Sequence, residues 1–262
     1  MATITSTDNP AVRAARRLAR ATTRRRDDPF LVEGPQAVSE AAAHLERLFV
    51  NGRGAAQHGG LVARVRRAGV PVVEVTDPVL ASLTGTVTPQ GLVGVARLAS
   101  PSLDDVLDAL GLGVVLVEAA DPGNAGAIVR TADAAGADAV VLTRGSVDPA
   151  NAKAVRASAG SLFHLPVLRG AGLDDVLEGC RARGITTVAT TASAPTLVTD
   201  VDLTGRCALL FGNEAHGLDT DVIGRCDRQV RVPIHGRAES LNLAATVAVV
   251  AYEAARQRDV AP

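Results

Sequence analysis

Three short stretches of this chain combine residue types at spacings that suit chemistry. The first is Asp121-Pro122-Gly123-Asn124-Ala125-Gly126, with Arg130 just beyond it. Its glycines permit a tight turn and leave N–H groups at a helix start facing outward, which suits an anion. The spacing is neither GxGxxG nor a P-loop, so a dinucleotide site is weakly supported and a plain strand-to-helix turn remains the alternative. The second is Phe211-Gly212-Asn213-Glu214-Ala215-His216-Gly217, after the apolar run 208–210. Asn213 and Glu214 at a strand end are costly to bury alone, so they are expected to bind or orient something. His216 is a general base or a solvent-facing loop histidine, and the second reading is preferred. The third is Val232-Pro233-Ile234, then Glu239-Ser240-Leu241-Asn242 before the last helix. Ser240 can cap that helix, whereas capping gives no reason for Asn242 in its first turn.

Elements must bring these stretches together. Short β-branched runs at 114–117 and 139–142 flank a helical stretch at 125–135, which is a βαβ crossover. Further strands are expected at 163–167, 186–189 and 208–211, and helices at 150–159, 173–183 and 240–256. This predicts an α/β fold with a mostly parallel sheet covered on both faces, whose ligands lie beyond the carboxyl ends of the strands. The first half also alternates, with strands at 30–32, 48–50, 70–75 and 92–96 and helices at 35–44 and 57–68. A change to Ser100-Pro101 and Asp104-Asp105 marks a linker, so the expected division is 1–100, a linker at 101–112, and 113–262.

Composition narrows the classes. With 262 residues, 47% of them hydrophobic, the chain can bury a real core. The 27 basic and 28 acidic residues nearly cancel, so an anionic partner must meet a local patch. Aromatic residues are 2% with no Trp, which excludes a base-stacking platform and leaves backbone and Arg for recognition. Cys180, Cys207 and Cys226 lack CxxC spacing, so neither a disulfide framework nor a metal site is expected, and the setting is a reducing cytoplasm. No apolar run is long enough for a membrane helix. The densest positive charge follows Asn9-Pro10, where Val12, Ala15, Leu18 and Ala19 have helical spacing. The other face and its tail carry Arg13, Arg16, Arg17, Arg20, Arg24, Arg25 and Arg26. A solvated face, an arm for phosphates and a transit peptide all fit that pattern.

Residues 124–142, 209–218 and 232–258 resemble, in order, the three motifs of the SpoU/TrmH-like RNA ribose 2'-O-methyltransferases of the SPOUT superfamily. Asn9-Pro10, Phe30-Leu31-Val32-Glu33-Gly34 and the stretch from Gln90-Gly91 to Val95 are similar to members with an extra RNA-binding domain resembling a small ribosomal protein. That disfavours the transit-peptide reading. The likeness implies a carboxy-terminal trefoil knot, a homodimer sharing its active sites, and S-adenosylmethionine as cofactor. The cofactor residues it implies are Leu209, Leu210, Phe211, Gly212, Asn213 and Gly217 on one loop. Val232 and Ile234, then Ser240, Leu241 and Ala244, supply the others. Arg130, Asn124, Glu214, Ser240 and Asn242 are the implied catalytic set. A guanidinium stays protonated, so Arg130 is expected to bind the target phosphate and nascent alkoxide, held by Asn124, Glu214 and Ser240. The dimer face is expected at Ala244, Val247, Ala248 and Ala251, with ordinary core packing as the alternative. Ribosomal RNA of the large subunit is the expected substrate; transfer RNA, or RNA binding without catalysis, is the alternative.

Changing Arg24, Arg25 and Arg26 together to Gln should weaken RNA binding and reduce its salt slope by roughly two to three, because a phosphate that is no longer neutralised keeps its counterion. Filter binding across a salt series measures this, and an unchanged slope would place these arginines in bulk water.

Overall fold

The computed structural model describes residues 3–20, 27–86 and 88–260. Arg24, Arg25 and Arg26, and the side chain of Arg20, lie outside the described residues. The chain forms two compact units: Met1–Ala99 with Ala150–Phe163, and Ser100–Pro149 with His164–Pro262.

The first unit opens with α1 (Pro10–Arg20), where Asn9 Oδ1 accepts the Ala11 N–H at 3.0 Å and Pro10 takes the first turn. Val12 and Ala15 are buried, and Arg13 and Arg17 lie on the exposed face. There follow β1 (Phe30–Glu33), α2 (Pro35–Glu40), β2 (Leu45–Val50), α3 (Gly52–Gln57), α4 (Gly59–Arg67), β3 (Val72–Glu74), α5 (Asp77–Ala81) and β4 (Leu92–Ala96). The sheet order is β1-β4-β2-β3, with β4 antiparallel to both neighbours. The helix expected at 35–44 tightens into a 3-10 turn after Glu40, because Leu45 already pairs with Ala96 in β2.

The second unit begins with α6 (Leu103–Ala109), a capped helix inside the stretch expected to be a linker; Ser102 Oγ accepts the Asp105 N–H at 3.1 Å. Then come β5 (Leu112–Leu116), α7 (Pro122–Ala134) and β6 (Ala139–Thr143). Next is α8 (Ala152–Ser158), which belongs to the first unit and packs on β1. This corrects the expectation that all of 113–262 folds as one piece. Phe163 accompanies it, stacking on Phe30 with ring centroids 6.1 Å apart. For the same reason the strand expected at 163–167 starts only at Val167.

The chain continues through β7 (Val167–Ala171), α9 (Leu173–Ala182), β8 (Thr186–Thr190), β9 (Thr196–Leu197), β10 (Cys207–Phe211), α10 (Thr220–Arg225), β11 (Arg228–Arg231) and α11 (Leu243–Val260). The sheet is parallel throughout, in the order β7-β6-β5-β10-β8-β11-β9. β5, β6 and β10 are buried along their whole length, as continuous apolar runs require. Leu209 and Phe211 pack on the face covered by α7 and α11, and Ala208 and Leu210 on the face covered by α6 and α9.

β11 was not foreseeable from apolar pattern, since Val230 is its one buried residue. Asp227 places it: the N–H and Oγ1 of Thr187 donate to its Oδ2 at 2.8 and 2.7 Å. In α11, Val247 and Ala251 are fully buried in this chain's own core, so half of the expected dimer face is core packing. The exposed stripe is instead Ala245, Val249 and Tyr252. Among the described residues no helix is long and apolar enough to cross a membrane.

The end of α11 is tied to the strand starts by Arg258, which donates to the carbonyls of Leu203, Gly111 and Gly205 at 3.1, 3.1 and 2.6 Å. Arg258→Ala should cost about 1–3 kcal/mol and lower Tm by roughly 3–10 °C in thermal unfolding followed by circular dichroism. An unchanged Tm would show that these carbonyls are equally well served by water.

Candidate active site

Because every strand of the large sheet runs the same way, the loops leaving β5, β10, β8 and β11 emerge at one edge. The loop after β10 is a closed backbone ring. Asn213 and Gly217 exchange N–H···O=C bonds of 3.1 and 2.9 Å, and Gly217 has φ 70°. A Cβ on Gly212 would lie 2.0 Å from the Gly217 carbonyl carbon, so only glycine fits there. Asn213 anchors the ring outward: its Nδ2 donates to the Glu118 carbonyl at 2.7 Å and its Oδ1 accepts the Ala215 N–H at 2.8 Å. His216 is exposed, stands 4.0 Å from Glu118 Oε2 and lies on the wall of the cavity described below.

Glu214 reaches from this ring to the head of α7. Its Oε2 accepts the Ala120 N–H at 2.9 Å, and its Oε1 accepts the Asp121 N–H and Asn124 Nδ2, each at 3.1 Å. Asp121 caps the helix itself, accepting the Asn124 N–H at 2.8 Å. With Nδ2 turned to the carboxylate, Asn124 must present Oδ1 on its other side, where it accepts Asn242 Nδ2 at 3.1 Å. Asn242 Oδ1 in turn accepts the Ala244 and Ala245 N–H groups at 2.9 and 3.4 Å. The residue that caps α11 is therefore Asn242 and not Ser240, and the helix begins at Leu243 instead of Ser240. One relay, Glu214–Asn124–Asn242, joins the three sequence stretches. Burial alone would raise the Glu214 carboxyl, but the donors from Ala120, Asn124 and Asp121 outweigh it and hold its pKa below the ordinary value.

Beside the relay lies a cavity of about 360 Å3, within the range of small-molecule sites. Of the residues expected at the cofactor loops, Phe211, Gly212, Asn213, Gly217, Val232, Ile234, Ser240 and Leu241 line it, together with Glu214. Leu209 and Leu210 do not: a strand buried on both faces turns their side chains into the two core layers. Ala244 is also absent from the lining, where Leu243 and Thr246 stand. Thr190, Thr191 and Ala192 complete the wall and were missed, although two threonines ending an apolar strand are the same signal that singled out Asn213. Thr190 Oγ1 is buried with no partner among the described residues, a polar group left for a ligand. Ile234 and Leu241 expose apolar surface to the cavity.

Arg130 is not gathered into this arrangement. It is exposed on α7 and makes no hydrogen bond or ion pair among the described residues. Asn124 and Glu214 do not hold it, because their polar atoms are engaged by the α7 head and by Asn242.

Residues 111–252 match the SpoU rRNA Methylase family, and residues 9–94 match the MRM3-like substrate binding domain. This chain belongs to the SpoU rRNA methylase family. It is 31% identical over 256 residues to the 23S rRNA (guanosine(2553)-2'-O)-methyltransferase RlmP of Bacillus subtilis, covering 96% of this chain and 98% of that one. Among solved structures it is similar to the AdoMet-bound rRNA methyltransferase from Sinorhizobium meliloti, with TM-score 0.86, 32% identity and coverage of 100% and 99%. It is also similar to the SpoU methyltransferase AviRb from Streptomyces viridochromogenes in complex with AdoMet, with TM-score 0.84, 30% identity and coverage of 97% and 100%. The relay of this SpoU chain thus lies in the matched region.

Replacing Glu214 with Gln should lower Tm by roughly 2–4 °C at neutral pH, solvent screening keeping the loss near 1 kcal/mol. A depressed carboxyl contributes stability above its unfolded pKa and loses it as pH falls through the folded one. The difference between wild type and variant should therefore vanish in acid. A difference that persists or grows there would contradict the charge-assisted role.

Proposed function

We propose that this chain transfers a methyl group from S-adenosylmethionine to a ribose 2'-hydroxyl of structured large-subunit ribosomal RNA, in the cytoplasm and as a homodimer. The observation that carries the reading is the cavity with its orphaned Thr190 hydroxyl beside the Glu214–Asn124–Asn242 relay. The residues present suit this cofactor. Ile234 and Leu241 offer apolar surface for an adenine ring, Thr190 a free hydroxyl, and the ring at 212–217 backbone groups. We infer that the segment from β10 to α11 is threaded as the family's knot, with those loops as its floor.

When bound, S-adenosylmethionine would supply an electrophilic methyl on a cationic sulfur, and that sulfur leaves as a neutral thioether that needs no protonation. The chain's own part is positioning and charge. The relay sets the head of α7 and the start of α11 against the cavity. The Arg130 guanidinium binds the phosphate beside the target ribose and stabilises the oxygen as its proton passes to solvent water. Its lack of partners among the described residues suits a residue that serves a site shared with a second copy. The exposed stripe Ala245, Val249 and Tyr252 on α11 is the surface we assign to that copy.

The first unit, 1–99 with 150–163, would bind the RNA, and the second, 100–149 with 164–262, would carry the methyl transfer. Arg13 and Arg17, exposed on α1 without an acidic partner among the described residues, suit phosphate contacts there, with Arg16 half-buried beside them.

Arg130→Ala should lower single-turnover methylation of transcribed large-subunit rRNA by about a thousandfold, as the loss of a charge-stabilising donor does elsewhere. Calorimetry should find its S-adenosylmethionine affinity within about twofold of wild type. Retained turnover would remove Arg130 from the centre of the mechanism. Mapping 2'-O-methyl positions in RNA from cells with and without the gene names the nucleotide, and identical maps would reject the substrate class.

A further inference from the structure

The first unit holds a separate cavity of about 370 Å3. Its wall includes Glu33, Gln36, Thr84, Thr88, Gln90 and Arg156. Glu33 ends β1, and its side chain is only 8% exposed. One oxygen, Oε1, accepts the Gly85 N–H at 2.8 Å and meets Arg156 Nη1 at 3.5 Å. The other, Oε2, is fully covered and has no hydrogen-bond partner among the described residues. A buried acceptor left unmet costs about 1–3 kcal/mol, more when charged, so a structural role alone does not account for it. The strongest Arg–carboxylate pairs engage both oxygens at short distance; here Arg156 meets one of them at 3.5 Å, and its other N–H donors have no partner among the described residues. Gly34, with φ 88°, lets Gln90 lie across the rim, since a Cβ there would stand 2.5 Å from Gln90 Oε1. Gln36 is spent on Glu40 at 3.0 Å, and Thr84 on the Ala81 carbonyl at 3.2 Å.

The wall therefore includes a carboxylate whose second oxygen has no partner among the described residues, with the Arg156 guanidinium beside its first and the Gln90 amide on the same wall. Guanine alone among the RNA bases turns two adjacent donors, N1–H and N2–H, to one side, with the acceptor O6 next to them. Adenine and cytosine would bring a bare ring nitrogen against the carboxylate, and uracil would bring two carbonyls flanking its single N–H. We propose that this cavity captures an unpaired guanine of the RNA substrate, N1–H and N2–H on Glu33 Oε2 and O6 toward Arg156. The inference rests on the reading of this chain as an RNA methyltransferase and adds where its first unit reads a base.

The test is a titration of the full-length nitrogen-15-labelled protein with the pentanucleotides UUGUU, UUIUU, UUAUU and UUUUU, where I is inosine. The Gly85 amide is the reporter, because it donates to Glu33. It should move at roughly tenfold or more lower concentration with UUGUU than with UUAUU or UUUUU, the size expected of one good two-donor contact. UUIUU, lacking the N2 amine, should fall between them. Glu33→Gln should abolish the preference for UUGUU. Should that variant fail to fold, Gln90→Ala, at the exposed rim, should weaken binding of UUGUU with the Gly85 response still present. Equal responses to the four pentamers, or a Gly85 amide that none of them moves, would overturn the proposal. Calorimetry with S-adenosylmethionine on the same sample separates the two readings. Cofactor binding without guanine preference sinks only this inference, and guanine preference without cofactor binding sinks the methyl-transfer reading.

Discussion

One carboxylate holds the site together. The first N–H groups of a helix have no partner within it, and those leading into α7 would be orphans where the chain leaves β5. Glu214 collects two of them and the Asn124 amide, and by fixing which way Asn124 faces it also fixes Asn242 and the start of α11. The cavity wall formed by residues 239–246 is thus set by a residue some thirty positions earlier, on a different loop. The depressed pKa of Glu214 is the electrostatic signature of that collection of donors.

The sheet makes such a relay possible. β10 lies between β5 and β8, and β8 next to β11, so segments more than a hundred residues apart share one edge. At the opposite edge Arg258 ties α11 to the strand starts. The helix that carries the last motif is therefore pinned at both ends, by Asn242 at the site and by Arg258 away from it. A rigid frame of this kind suits a reaction whose main demand is alignment.

Much of this was legible in the chain itself. Polar Asn213 and Glu214 after an apolar strand marked the loops that meet, as did Asn242, although capping, given to Ser240 in the sequence, proved to be part of its role. The runs at 114–117, 139–142 and 208–211 marked three adjacent buried strands. What escaped was set by strand order and by contacts distant in sequence. That Asn124 and Asn242 touch follows only once β5 and β10 are neighbours. Leu209 and Leu210 belong to a motif yet face the core, because both sides of their strand are covered. Val247 and Ala251 form a helical stripe of the kind a partner could cover, and it is spent on the chain's own interior. Residues 150–163 join the first unit through Phe163 and Phe30, a pairing without local signal.

Glu214 and Asn242 act through Asn124 as one unit. A double-mutant cycle on methyl transfer tests it most directly, comparing Glu214→Gln, Asn242→Ala and the pair for kcat/KM under single-turnover conditions. The pair should lose no more than the worse of the two single variants, to within about twofold, because either change already breaks the relay. Losses that multiply would show two independent contributions and contradict it.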